Sequence, residues 1–352
     1  MPDGILSDLA ALVGFDTANP PRRITTETGV MPRLAARLTS LGFHCAMTDL
    51  GEGCINLLAR RGQSRTLFNC HLDTVPACDG WTGDPLVLRV DGDRATGLGA
   101  CDVKGAAACL LAAADATNAP AALLFTTDEE AGTSRCVRTF VETARDRFDR
   151  VVVSEPTGCR AVTAHRGLVS AEVCFAGRSG HASGAGAGAT NANHAAATWC
   201  HAALARSAAL AASGEDVRLN LGVIEGGIKA NMAAASCRVI FGMRPWATME
   251  TDAALRAIID PLPEGAVLTE RFRAPGLGAC GWEAWLEAWD IERGEAVDFW
   301  TEAALFAASG LPAVVLGPGS IEQAHAADEF VGLGELERGA ALYRRMMEAA
   351  AS

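Results

Sequence analysis

Three apolar runs in the first half of the chain each end in side chains able to hold a metal, with helix-forming stretches between them. The runs are TLFNCHLD (66–73), ending in His71 and Asp73; AALLFTTDEE (121–130), ending in Asp128, Glu129 and Glu130; and VVVSEP (151–156), carrying Glu155. Continuous apolar runs interleaved with helices are the pattern of a mainly parallel sheet covered on both faces. Such sheets place their sites outside the carboxyl ends of the strands. His71, Glu129, Glu130 and Glu155 are therefore expected along one edge. Asp102 is expected to reach the same edge from a loop-to-helix junction, GLGACDVKGAAACLLAAADA. On a strand, residues two apart share a face, so His71 and Asp73 are expected as neighbours.

The rest of the chain predicts a second architecture. Before the first run lie two helices (3–15 and 30–43) and two strands (43–49 and 54–60). From about residue 165 the order becomes strand, helix, two strands, helix, strand: GLVSAEVCFAG, NANHAAATWCHAALARSAALAA, VRLNLGVIEGG, AAASCRVIFGMRP, TMETDAALRAIIDPL and AVLTERF. That order is the ferredoxin-like unit. Helix, strand and a His325-bearing loop then return, with a closing helix at 334–350. If His325 joins the first edge, the first domain is discontinuous, comprising 1–164 and 275–352 around an inserted domain at 165–274. The fold class is α/β with a mixed, mainly parallel central sheet, plus an inserted α+β domain.

Composition excludes several classes. A net charge of −12 argues against a nucleic-acid footprint. No apolar stretch nears the roughly 20 residues of a membrane span, and MPDGILSDLA lacks the basic and apolar regions of a secretory signal. A cytoplasmic protein is expected. The 12 cysteines include no C-x-x-C pair; most sit in Ala/Val/Leu contexts and are expected to be packing residues. Gly97 and Gly99 are not followed by a Walker lysine pattern, so a phosphate loop is not expected.

The metal-type residues are His71, Asp102, Glu130, Glu155 and His325, with Glu129 beside them. Imidazoles and carboxylates suit zinc, and nothing here is soft enough to select copper or an iron–sulfur cluster. If Asp102 bridges two ions, each ion has one His, one terminal carboxylate and the shared Asp. A fourth position stays open, as in catalytic sites. Two Zn²⁺ are then balanced by three carboxylates and a hydroxide. Glu129 cannot readily point the same way as Glu130 on an extended chain, which frees it for general acid–base work. The chemistry implied is amide hydrolysis.

HLDTVP, GLGACDVKGA, TTDEEAG, SEPTG, AHRG, GRSGHAS and GPGSIEQAHAADEF together resemble the aminoacylase/carboxypeptidase G/succinyl-diaminopimelate desuccinylase family of dinuclear zinc amidohydrolases. The likeness runs from NPPR near residue 19 to the terminal helix, and is strongest to the deacetylases of that family. It implies removal of acetyl from an N-acetyl amino acid, N2-acetylornithine or N-acetylcitrulline, in arginine biosynthesis. It implies two Zn²⁺ per chain, with Co²⁺ a substitute. His71 and Glu155 would hold one ion, Glu130 and His325 the other, and Asp102 would bridge. Glu129 would be the general base and Asp73 the orienter of His71. The inserted domain would serve as lid and as the surface of a homodimer. His181 would help hold the scissile carbonyl oxygen, reaching across that dimer.

Asn231 and Arg244 would bind the small-molecule substrate, Arg244 by a two-pronged grip on an α-carboxylate. Arg244 is otherwise a solvated strand-end charge and Asn231 a turn residue. Glu302, in FWTEAALF, would receive a substrate amine or ureido group, or else cap the helix beginning there. Lys229, in GGIKANM, stands where the acetylornithine-type members of this family more often have an acid; lining the pocket, it would repel an ammonium and tolerate a neutral ureido group. His44, His165, His194 and His201 carry no such motif and are expected to be structural. Two other readings remain: a relative acting on another amide (dipeptidase, aminoacylase or desuccinylase), or a metal-free dimeric binding protein.

Overall fold

In the computed structural model, residues 2–21, 23–130, 132–184, 191–278 and 281–349 are described. Cys280 and residues 185–190 of the Gly/Ala loop lie outside them. In chain order the elements begin with α1 (Pro2–Val13), α2 (Val30–Ser40), β1 (His44–Asp49), β2 (Ile55–Arg61) and β3 (Thr66–His71). Then come β4 (Arg89–Asp91), β5 (Arg94–Thr96), α3 (Lys104–Asp115), β6 (Ala121–Thr126), α4 (Arg135–Ala144) and β7 (Arg150–Val153). They continue with β8 (Leu168–Ala176), β9 (Gly180–His181), α5 (Ala192–Ala212), β10 (Val217–Gly226), β11 (Met232–Ala233), β12 (Ser236–Pro245), α6 (Thr251–Ile259) and β13 (Val267–Ala274). The last are α7 (Glu283–Ala288), α8 (Ala303–Ala308), β14 (Ala313–Val315), β15 (Phe330–Gly332) and α9 (Leu333–Ala349).

The chain forms two compact units, one of residues 1–163, 279–296 and 301–352, the other of 164–278 and 297–300. The first is built on a six-stranded sheet in the order β1-β2-β6-β3-β7-β14. β6, β3, β7 and β14 run parallel; β1 and β2 are antiparallel additions. This is the mixed, mainly parallel sheet expected from the sequence. β3 and β6 are buried at every residue, which is why their runs show no alternation. α3 is alanine-rich and buried over most of its length, and packs against α1 and α9.

In the second unit β8-α5-β10-β12-α6-β13 folds into one antiparallel sheet, ordered β10-β12-β8-β13. β8 and β12 alternate in burial, as strands with one covered face must. The sequence reading places residues 164, 275–278 and 297–300 in the first domain, whereas contacts group them with the second unit. Asp298 Oδ1 accepts the buried Arg166 Nε–H at 2.8 Å, and Trp300 Nε1–H donates to Pro275 O at 3.1 Å.

Candidate metal centre

The carboxyl ends of the parallel strands do collect the expected side chains. β3 ends in His71, with Asp73 two residues on; β6 runs into Asp128, Glu129 and Glu130; and β7 leads to Glu155. Asp102 sits in the turn before α3, across a cis Asp102–Val103 peptide. Gly317, after β14, allows that segment to lie against Glu155: a Cβ there would stand 2.6 Å from the Glu155 carbonyl oxygen.

Two three-residue clusters result, and they share one member. His71, Asp102 and Glu155 form one; Asp102, Glu130 and His325 form the other, each with ligand atoms within 4.8 Å of one another. The Asp102 carboxylate divides between them. Its Oδ1 lies 3.2 Å from His71 Nε2, and its Oδ2 lies 3.5 Å from His325 Nε2. Glu155 Oε1 is 3.8 Å from His71 Nε2, and Glu130 Oε1 is 3.0 Å from His325 Nε2. The first cluster is buried throughout, while His325 is half-exposed.

These donors fit a pair of divalent cations. A carboxylate with one oxygen turned to each cluster is what a bridging ligand requires, and His/Asp/Glu donors suit zinc. The flanking thiols face elsewhere: Cys70 Sγ–H points to the carbonyls of His71 and Val103, and Cys101 Sγ–H to that of Ser320. Without cations the titrations are strongly displaced. Burial alone would lower His71, but Asp102 and Asp73 outweigh it and hold the imidazole well above its usual pKa. Hydrogen bonds to Asp102 and Glu130 raise His325 to about 10. Asp102 falls below the carboxylate range, because the two imidazoles overcome its burial. Burial, reinforced by neighbouring carboxylates, raises Glu155 well above its usual value and Glu129 to about 8. A crowd of buried acids beside two imidazoles is a group that added positive charge would stabilise.

Asp73 lies against His71 as the sequence reading expects, with its main-chain oxygen making the shorter contact. His71 Nδ1–H donates to the main-chain oxygen of Asp73 at 2.9 Å, while the carboxylate Oδ1 stands 3.6 Å away. That carboxylate instead accepts Glu129 N–H at 3.3 Å and Glu130 N–H at 3.0 Å. One residue therefore fixes the His71 tautomer with its backbone and the Glu129–Glu130 turn with its side chain.

Asn19 completes the clasp. Its Nδ2 donates to Asp73 Oδ2 at 3.0 Å and to Thr127 O at 3.2 Å. Asp128, the first of the three acids, turns away and accepts Cys136 N–H at 3.2 Å, capping α4. Neither role has a local sequence signal, since the partners lie far along the chain or are backbone groups.

Glu302 is buried, its Oε1 meets no hydrogen-bond donor among the described residues, and burial with Asp128 and Glu129 keeps its carboxyl well above the usual range. It does not cap α8 with its side chain; Ala303 N–H goes to Thr301 Oγ1 at 3.2 Å. In the second unit, β9 and β11 pair His181 with Met232, and Ala182 N–H donates to Asn231 O at 3.0 Å. His181 and Asn231 are thereby neighbours. His181 Nδ1 lies 2.7 Å from Ser183 Oγ and 3.3 Å from Ser183 N, so the following turn holds the ring by that nitrogen. Lys229 is exposed, and Arg244 sits part-buried on β12 opposite Arg218.

The fold and this cluster define a metal-dependent amidohydrolase, and the chain belongs to the peptidase family M20/M25/M40, whose profile matches residues 67–349. It is 46% identical over 348 residues to the N-acetyl-L-citrulline deacetylase of Xanthomonas campestris pv. campestris, covering 95% of this chain and 94% of that protein. It is 34% identical to the acetylornithine deacetylase of Pasteurella multocida, covering 85% of each chain. Among solved structures, aminopeptidase PepT from Bacillus cereus shares the fold at a TM-score of 0.78 and 19% identity, covering 100% of this chain and 99% of that one. An M20 family metallo-carboxypeptidase from Sulfolobus solfataricus does so at 0.73 and 14%, covering 99% of each.

Proposed function

We propose that the chain hydrolyses N-acetyl-L-citrulline to acetate and citrulline, with N2-acetylornithine a poorer substrate, as a step of arginine biosynthesis in the cytoplasm. The observation that carries the chemistry is the Asp102 carboxylate divided between two His/carboxylate clusters. The substrate rests on similarity: 46% identity to a citrulline-type deacetylase, against 34% and 33% to two acetylornithine deacetylases. His71, Asp102 and Glu155 would hold one Zn²⁺, and Asp102, Glu130 and His325 a second, with Co²⁺ a substitute. Bound there, the two ions supply Lewis-acid polarisation of an amide carbonyl and a water acidic enough to deprotonate near neutral pH.

The chain's own residues do the rest. Glu129, fixed by Asp73 through its N–H, takes a proton from the attacking water and delivers it to the departing amine as the C–N bond breaks. His181 Nε2–H donates to the carbonyl oxygen as negative charge develops there. Arg244 grips the α-carboxylate and Asn231 supports it. Glu302 meets the ureido group, and Lys229 disfavours an ammonium in its place. The second unit serves as lid and dimer surface. Support for the roles of His181, Asn231 and Glu302 is the hydrogen bond from Ala182 N–H to Asn231 O, beside the His181–Met232 pairing, and the Glu302 oxygen that has no hydrogen-bond partner among the described residues.

The test is zinc per chain together with acetate release from both substrates. Two zincs are expected, with faster turnover of N-acetyl-L-citrulline, loss of activity on chelation, and at least a 10³-fold drop in kcat for Glu129→Ala at unchanged metal content. Lys229→Asp should narrow the preference between the substrates. Metal-loaded protein that releases no acetate from either would refute the assignment.

A further inference from the structure

One buried carboxylate ties the Asp102 turn to the loop that carries His325. Glu329 Oε1 accepts Cys101 N–H at 2.8 Å and Asp102 N–H at 2.9 Å, while Oε2 accepts Gly99 N–H at 2.9 Å. Its main-chain oxygen accepts Gly97 N–H, also at 2.9 Å. Hydrogen bonds from N–H groups to an ionised carboxylate are about twice as strong as neutral ones, and here three converge on one turn.

The preceding residue faces the other way. Asp328 Oδ1 accepts Thr82 N–H at 3.1 Å, Thr82 Oγ1–H at 3.0 Å and Arg89 Nη2–H at 2.6 Å. His325 and Asp328 both hold positive φ, 60° and 54°. Non-glycine residues stay in that region only where their surroundings over-determine them. The segment 325–329 is therefore held from both sides rather than relaxed.

We propose that Glu329 is a positioning residue of the metal centre: its carboxylate sets the spacing between the Asp102 turn and the His325 loop, with Asp328 anchoring that loop from outside. The inference rests on the two-ion reading above. Its consequence is asymmetric. Asp102 and His325 are two of the three members of the Asp102–Glu130–His325 cluster. Only Asp102 belongs to the other cluster, whose remaining members follow from the buried strands β3 and β7. Loosening Glu329 should thus weaken one ion far more than the other.

The experiment compares the full wild-type chain with Glu329→Gln and Asp328→Asn. Each is stripped by chelator and titrated with Zn²⁺ against a chromophoric competitor, and the melting temperature of each metal-free form is measured alongside. An amide at 329 can accept on only one side, so its NH₂ must face either Gly99 N–H or the Cys101 and Asp102 N–H pair. Glu329→Gln is expected to bind one ion nearly as wild type and the other about 10- to 100-fold more weakly. Asp328→Asn, a change nearer the surface, should weaken the same ion by less, and it decides the matter if Glu329→Gln does not fold. A lowered melting temperature with both affinities unchanged, or an equal loss at both ions, would overturn the proposal. Fewer than two ions in wild type would overturn the two-ion reading and this inference with it. Two in wild type and two unchanged in the variants would remove this inference alone.

Discussion

Asp73 shows how much of the centre depends on one side chain holding others. Its backbone oxygen takes the His71 Nδ1 proton, and its carboxylate gathers Glu129 N–H, Glu130 N–H and Asn19 Nδ2. Asn19→Ala should free that carboxylate to rotate and so misplace Glu129. Outer-shell losses of this kind are worth roughly 10–100-fold. We expect kcat to fall by about tenfold with KM little changed; a rise in KM at full kcat would show that Asn19 serves substrate binding instead. His71, Asp102, Glu130 and Glu155 were legible as candidate ligands because each closes an apolar strand or opens a helix, and backbone geometry alone carries such residues to one edge; His325 lies in a loop and was legible only through the family resemblance. Asn19 and Glu329 were not legible. Asn19 reaches Asp73 from 54 positions away and Glu329 reaches Asp102 from 227, and neither sits in a periodic pattern that points to its partner.

At the scale of elements, the strand β6 and helix α4 are joined through Asp128. The sequence presents three acids in a row as equals, but only Glu129 and Glu130 stay with the site. Asp128 is fully buried and takes the Arg135 and Cys136 N–H groups at the start of α4. Removing a capping side chain costs about 1–2 kcal/mol, and Cys136, one of the two amide donors, is fully buried. Asp128→Ala should therefore lower the urea midpoint of the metal-free chain, and Asp128→Asn, which keeps an acceptor, should recover part of the loss. Equal midpoints for all three proteins would show the cap to be unimportant. The ferredoxin-like order of the inserted strands was legible from alternation and turn residues alone. The allegiance of residues 297–300 was not, because it depends on Arg166, whose guanidinium joins Asp298 and Asp216 and lies over Trp246.

Across the whole molecule, the second unit has an acid sensitivity of its own. His165 is completely buried, and its Nδ1–H donates to Arg166 O at 2.9 Å. Burial, with the positive charge of Arg244 adding, lowers its pKa to about 4. The unfolded chain takes up this proton near pH 6.5, whereas the folded one resists it down to about 4. Stability is therefore complete above pH 6.5 and declines as pH falls through that window, by about 2 kcal/mol at pH 5. His165→Gln should show a smaller drop in urea midpoint between pH 7 and 5 than wild type. Identical drops would remove His165 as the cause.

The two clusters also differ in when they can exist. Translation runs from residue 1 onward, so the His71–Asp102–Glu155 trio is complete as soon as Glu155 has been made. The second trio waits for His325, which is encoded beyond the entire inserted unit. At roughly 5–20 residues per second that interval is about 10–30 s. A nascent chain thus passes through a stage at which every residue of the first trio has been made and the second still lacks a member.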